Sequence, residues 1–92
     1  MAKLFKTNGD VIHISTKYKK FTGEEINKLV GGYIECVPLF DGNAFAFCNE
    51  NGKLEHLDYN ANATIFASYA GGLSLGDYFV GDVLFTSSDE VD

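Results

Sequence analysis

The chain has 92 residues, 46% of them apolar and 14% aromatic, which suits one globular domain with no room for a second and excludes a disordered chain. Seven lysines and no arginine stand against 13 acidic residues, for a net charge of −6. That balance argues against duplex nucleic acid, whose readers lean on many phosphate contacts and on guanidinium forks.

The charge is unevenly placed. Residues 1–28 hold six lysines and three acids, whereas residues 29–92 hold only Lys53 against ten acids. The longest apolar runs fall far short of the ~18 residues that span a bilayer, and the first ten residues lack a signal-peptide hydrophobic core. A cytoplasmic location with no membrane partner is expected.

The first elements in chain order are two short alternating runs, AKLFKT and VIHIST, joined through Asn8-Gly9, a strong hairpin signal. Next, FTGEEINKLVGG carries a capping box, Thr22 with Glu25. Phe21 and Ile26 are spaced as a hydrophobic staple, and Gly31-Gly32 is a stop, so a helix of about 8 to 9 residues is expected. YIECVPLF and AFAFCNE read as a second hairpin around Asp41-Gly42-Asn43. With a three-residue loop Cys36 falls opposite Cys48, and Tyr33, Glu35, Val37, Leu39, Phe45 and Phe47 share a face.

Asn51-Gly52 then reads as a type I′ turn leading into a further strand, KLEHLD, with Lys53 paired across it to Glu50. Both faces of such a meander are apolar. Two helices covering one face would leave the other for a second subunit, so a homo-oligomer, dimer or tetramer, is expected.

Asn60 or Asn62 caps a second helix with Ile65, Phe66 and Tyr69 on one side and alanines allowing close approach, stopped by Gly71-Gly72. DYFVGDVLFT reads as a closing strand with an interior glycine, and SSDEVD as a frayed acidic tail. The reading is an α+β domain, residues 1–92, with a mostly antiparallel sheet and two short helices in the order β-β-α-β-β-β-α-β.

No catalytic or metal constellation stands out. His13 and His56 have no second histidine or cysteine at metal-ligand spacing, and GGLSLG lacks the spacing and lysine of a phosphate loop. No cofactor, metal or catalytic residue is expected, and Cys36 and Cys48 suit free thiols buried as small hydrophobes. The stretch NENGKLEHLDYNANAT is the candidate site, because an asparagine-capped helix start suits an anion and Lys53 is the one lysine of residues 29–92. Lys53 stands at the other end of the expected strand, roughly 20 Å away, so that the two would converge only across a subunit boundary.

Four blocks resemble a family of small phage and prophage proteins: V-G-G-x-I-E-x-V-x-L at residues 30–39, N-E-x-G-K-L at 49–54, N-x-x-A-T at 60–64 and D-x-x-V-G-D-V at 77–83. The match runs over about residues 22–86. The resemblance implies a phage or mobile-element origin and action in the host cytoplasm. It also implies an anti-defence role, in some members as anti-CBASS sponges that sequester a cyclic dinucleotide without catalysis.

For such a ligand, Tyr33, Tyr59, Tyr69 and Phe79 would stack bases. Asn49, Asn60, Asn62 and Thr64 would bond base edges and oxygens, and Lys53 with Lys17, Lys19 and Lys20 would hold phosphate. The alternatives are an inhibitor that docks on a host defence protein through its acidic surface, and a phosphodiesterase acting on the same signals.

Overall fold

A computed structural model describes residues 2–92. Its strands are β1 (Ala2–Phe5), β2 (Val11–Ile14), β3 (Ile34–Leu39), β4 (Ala44–Asn49) and β5 (Val83–Ser87), and its helices are α1 (Gly23–Val30) and α2 (Ala61–Tyr69). The strands form one five-stranded sheet in the order β2-β1-β5-β4-β3, and every neighbouring pair is antiparallel. The α+β class, the antiparallel sheet and the two short helices hold as expected.

The β1–β2 turn forms at Asn8-Gly9, where Gly9 N–H reaches Lys6 O at 3.0 Å and the Asn8 side chain accepts from Asp10 N–H at 2.9 Å. The Thr22–Glu25 capping box is complete, and Gly31 closes α1 in the left-handed region with its N–H on Asn27 O. Phe21 and Ile26 are both buried beneath that helix start.

Each helix takes its own face of the sheet. Ile26 and Val30 of α1 pack with Phe21, Ala2, Leu4, Phe47 and Leu84. Ala63 and Ala67 of α2 pack on the other face with Ala46, Cys48, Val83 and Phe85. The expected second face for a partner subunit is therefore already covered from within. The cause lies in β4 and β5, whose alternate residues are apolar on both sides, so one strand feeds two cores.

Three local expectations are corrected. The β3–β4 connection is four residues, 40–43, so Cys36 pairs with Phe47 and Cys48 with Glu35, one residue away from the expected register. The two thiols lie on opposite faces, and Phe45 and Phe47 share theirs with Ile34, Cys36 and Pro38. Phe40 and Asp41 enable the longer loop by adopting φ of 49° and 56°, which for a bulky residue costs about 1–2 kcal/mol.

Residues 53–58 form no strand; consecutive turns run over residues 50–56 in its place. The tail, in turn, is tied down: Phe21 N–H bonds Glu90 O at 2.7 Å and Phe21 bridges Val91.

α2 packs closely through Ala63, Ala67 and Ala70, as their spacing allowed. Its alanines face the sheet, while Ile65 and Tyr69 are exposed. Asn62, Thr64 and Ser68 are spread around the helix and leave no single apolar side, so periodicity does not orient it. The small side chains win because they let the backbone approach a sheet already crowded by Phe79 and Phe85.

Candidate functional site

The turns at residues 50–58 are built on Asn49, the last residue of β4 and 5% exposed. Its Oδ1 accepts Asn51 N–H at 2.9 Å, and its Nδ2 donates to Glu55 at 3.1 Å and to Gly31 O at 3.5 Å. Its carbonyl accepts Gly52 N–H at 3.0 Å. Gly52 is required by closeness, since a Cβ there would stand 2.9 Å from Val80 Cγ2. The turn is thus pressed onto the 77–83 segment, which a Tyr59–Val80 bridge and Gly81 N–H on Asp58 O at 2.7 Å also hold.

This docking brings residues from three distant parts of the chain to one small cleft of about 110 Å³ between the β3–β4 edge and the 73–80 loop. Glu35 comes from β3, Cys48 and Asn49 from β4, Glu50 and Lys53 from the turns, and Asp77 from the loop. Lys53 Nζ bonds Asp77 Oδ1 at 2.9 Å and stands 4.2 Å from the centroid of the Tyr78 ring. Tyr78 meets Tyr59 edge to face at 6.0 Å. The expected Lys53 partner, Glu50, is replaced by Asp77 because no strand exists to set Lys53 opposite Glu50.

The hydrogen bond from Lys53 holds the Asp77 carboxyl below its ordinary value, aided by Tyr78 N–H at 2.8 Å. The same bond raises the Lys53 ammonium above its ordinary value. On the floor, burial first and the Glu35 carboxylate second push the Cys48 thiol up to about 12. A thiol so protonated is no nucleophile near neutral pH. Burial also raises Cys36, which is exposed on the edge strand.

The surroundings are acidic and apolar together. Glu35, Glu50 and Asp77 line the cleft beside Lys53, and Glu55 and Asp58 are exposed on the turn segment that carries it. Tyr33 (74% exposed), Leu54 (81%) and Leu75 (107%) stand on the segments that frame it.

The remaining sequence candidates are dispersed. Asn60 is 1% exposed and its side chain is spent: Oδ1 caps α2 by accepting Ala63 N–H at 3.1 Å, and Nδ2 donates to Phe5 O at 2.8 Å and Gly81 O at 2.9 Å. Thr64 Oγ1 accepts Phe79 N–H at 2.9 Å, and exposed Asn62 reaches Gly9 O at 3.4 Å. Lys17, Lys19 and Lys20 follow β2 at one edge of the sheet, where the Glu25 carboxylate receives Lys17 N–H at 3.2 Å. The Lys53 cleft lies at the β3 edge, four strand spacings or roughly 20 Å away.

Tyr33, Asn49, Lys53 and Tyr59 are thus brought to one region, and the three N-terminal lysines are not. Asp77, Tyr78 and Glu35 belong to the site but were not among its expected members. Their one signal was membership in the first and last of the four sequence blocks. Among the described residues no group of three or more histidine, cysteine or carboxylate side chains is placed to hold a metal ion, and no helix is long and apolar enough to cross a membrane.

No curated protein and no solved structure matches the chain. Residues 6–92 match the family model described as a domain of unknown function, DUF3846, and the chain belongs to that family.

Proposed function

We propose that this chain is a non-catalytic binding protein of phage or mobile-element origin that acts in the host cytoplasm by docking on a basic patch of a host defence protein through the face around Lys53. One observation carries the reading: the only lysine of residues 29–92 is committed to Asp77 and Tyr78, so the face is left with exposed carboxylates interleaved with Tyr33, Leu54, Tyr59 and Leu75. Aromatic anchors in an anionic surround suit a partner's lysine or arginine. The cleft fits a single side-chain tip, whereas small-molecule sites are usually about 300–1,000 Å³.

A second reading, the cyclic-dinucleotide sponge, is favoured by the exposed Tyr59–Tyr78 pair beside Lys53, which offers a stacking surface next to a cation. A cleft this small requires a homo-oligomer, dimer or tetramer, for that role, with two subunits closing on one ligand. A phosphodiesterase is the third reading, with no specific observation in its favour.

The test has two arms. In the first, purified cyclic-nucleotide synthases and their effector proteins are titrated with the chain and with a Glu50→Lys, Glu55→Lys double variant. The proposal expects saturable binding that weakens at least tenfold in the variant and falls with salt. In the second, the chain is incubated with cyclic di- and trinucleotides and then heated. Intact nucleotide released identifies a sponge, and altered nucleotide an enzyme. Either result without protein binding overturns the docking reading.

A further inference from the structure

On the α2 face, away from the Lys53 cleft and sharing no residue with it, a crevice of about 270 Å³ opens between α2, the β3–β4 loop and β1. Phe85 forms its floor, with ring centroids 4.6 Å from Phe5 and 4.9 Å from Phe66. Phe40 faces Phe66 edge to face at 6.3 Å and forms the lip, 52% exposed.

The lip is fixed in place. Phe40 N–H bonds Ala70 O at 3.0 Å, and its carbonyl receives both the backbone and side-chain N–H groups of Asn43, at 3.2 and 2.9 Å. The backbone that aims the ring is left-handed at Phe40 and Asp41. A phenyl ring so held, with few contacts on its outer side, is an unfilled wall.

At the open end stands Lys3, the register partner of Phe85 on the same sheet face. Its ammonium makes no ion pair with any described residue. Ser87, which also lines the crevice, turns its hydroxyl to Asp89 at 2.5 Å and Glu90 at 2.9 Å, and neither carboxylate lines the crevice. An unpaired cation thus closes one end of a slot whose walls are phenyl rings set at 71° and 83° to their neighbours.

We propose that this crevice binds a small anion with an aromatic body, the ring edge to face with Phe40, Phe66 and Phe85 and the carboxylate or phosphate on Lys3. The size agrees, because a cavity of about 150 Å³ holds a benzene ring, and the remaining space takes a short acidic arm. Edge-to-face packing favours a flat ring over an aliphatic chain, and the lysine favours an anion over a neutral ring. The site is independent of the docking face, so neither proposal falls with the other.

Amide chemical-shift titrations test it with phenylacetate, its neutral isostere phenylacetamide, acetate, and adenosine 5′-monophosphate as a phosphate-bearing ring. Phenylacetate should saturate with Kd on the order of a millimolar, shifting Lys3, Phe40, Phe66 and Phe85, with phenylacetamide and acetate at least tenfold weaker. Lys3→Met should weaken phenylacetate about tenfold. Phe40→Asn, which tolerates the left-handed backbone, should weaken it severalfold with the fold unchanged.

Binding of adenosine monophosphate at the same residues assigns the phosphate source, and binding of phenylacetate alone assigns a carboxylate. Equal affinity for phenylacetamide, shifts centred on Tyr59 and Tyr78, or an unaffected Lys3→Met variant would overturn the proposal.

Discussion

Asn60 shows how a residue that looks like a ligand group can be wholly structural. Its cap bond and its two amide bonds to Phe5 O and Gly81 O join α2, β1 and the 77–83 segment in a site that is 1% exposed. Asn60→Ala removes the cap and strands two carbonyls, so chemical denaturation should show a loss of about 2–4 kcal/mol. Asn60→Asp keeps the cap oxygen but sets a carboxylate against both carbonyls, which disfavours its charged form. Its folded pKa would then lie above the unfolded value, so its deficit against the parent should be smallest below the unfolded pKa and widen as pH rises towards 7. A deficit constant with pH would mean the aspartate has swung away.

Thr86 presents the opposite case. It is 3% exposed and its Oγ1 has no hydrogen-bond partner among the described residues. A buried hydroxyl without a partner carries its desolvation cost uncompensated, so the near-isosteric Thr86→Val should raise stability by about 1 kcal/mol. A lower melting temperature in that variant would show that the hydroxyl is bonded in solution, for instance by a buried water.

At the scale of elements, α1 is stabilised largely through its first turn. Glu25 receives Thr16 O–H at 2.6 Å and the N–H groups of Lys17 and Thr22 at 3.2 Å each, so one carboxylate closes the capping box and gathers the 16–20 segment. The Thr16 hydroxyl above all, with those N–H groups, holds the Glu25 pKa below its ordinary value. The sign follows: the contribution is complete above the ordinary glutamate value and is lost as pH falls through the lowered folded one. Thr16→Ala should move the Glu25 titration, followed by carboxyl carbon NMR, upward toward the ordinary value. Thr22→Ala should cost about 1 kcal/mol by thermal melting. An unmoved Glu25 titration would mean the 16–20 segment does not rest on it.

At the scale of the whole molecule, the arrangement of helices alters what association must explain. With α1 and α2 on opposite faces, the chain covers its own sheet, and the apolar surface that remains is scattered: around the Lys53 cleft, at the Phe40–Phe66 crevice, and at the β2 edge with Val11, Ile12 and Tyr18. Docking through the Lys53 face expects that face to stand open, so light scattering at micromolar concentration should return the 10.1 kDa of a single chain. A mass twice that or four times that would shift the weight to the sponge, which needs a second subunit to complete its site. The separation of Lys17, Lys19 and Lys20 from Lys53 by the width of the sheet makes the charge of the molecule directional, and a basic partner would approach from the β3 edge.

Local chemistry in the sequence settled the α1 capping box and the Asn8-Gly9 turn, because each depends on residues within a few positions of one another. The pattern of such elements gave the α+β class, and the α2 cap was narrowed to Asn60 or Asn62, with the structure choosing Asn60. The NENGKLEHLDYNANAT stretch was likewise legible as a region of interest from composition alone. Tertiary structure decided the rest. The β3–β4 register turned on whether Phe40 could tolerate a left-handed backbone, which its bond to Ala70 secures from 30 residues away. The facing of α2 turned on which side chains fit against Phe85, since a helix whose polar residues are spread around it has no single apolar side. The partner of Lys53 turned on the 77–83 segment folding over a turn that reads, by its own residues, as a hairpin: Asn49 and Gly52 fit Val80 closely enough that packing overrode the local turn preference.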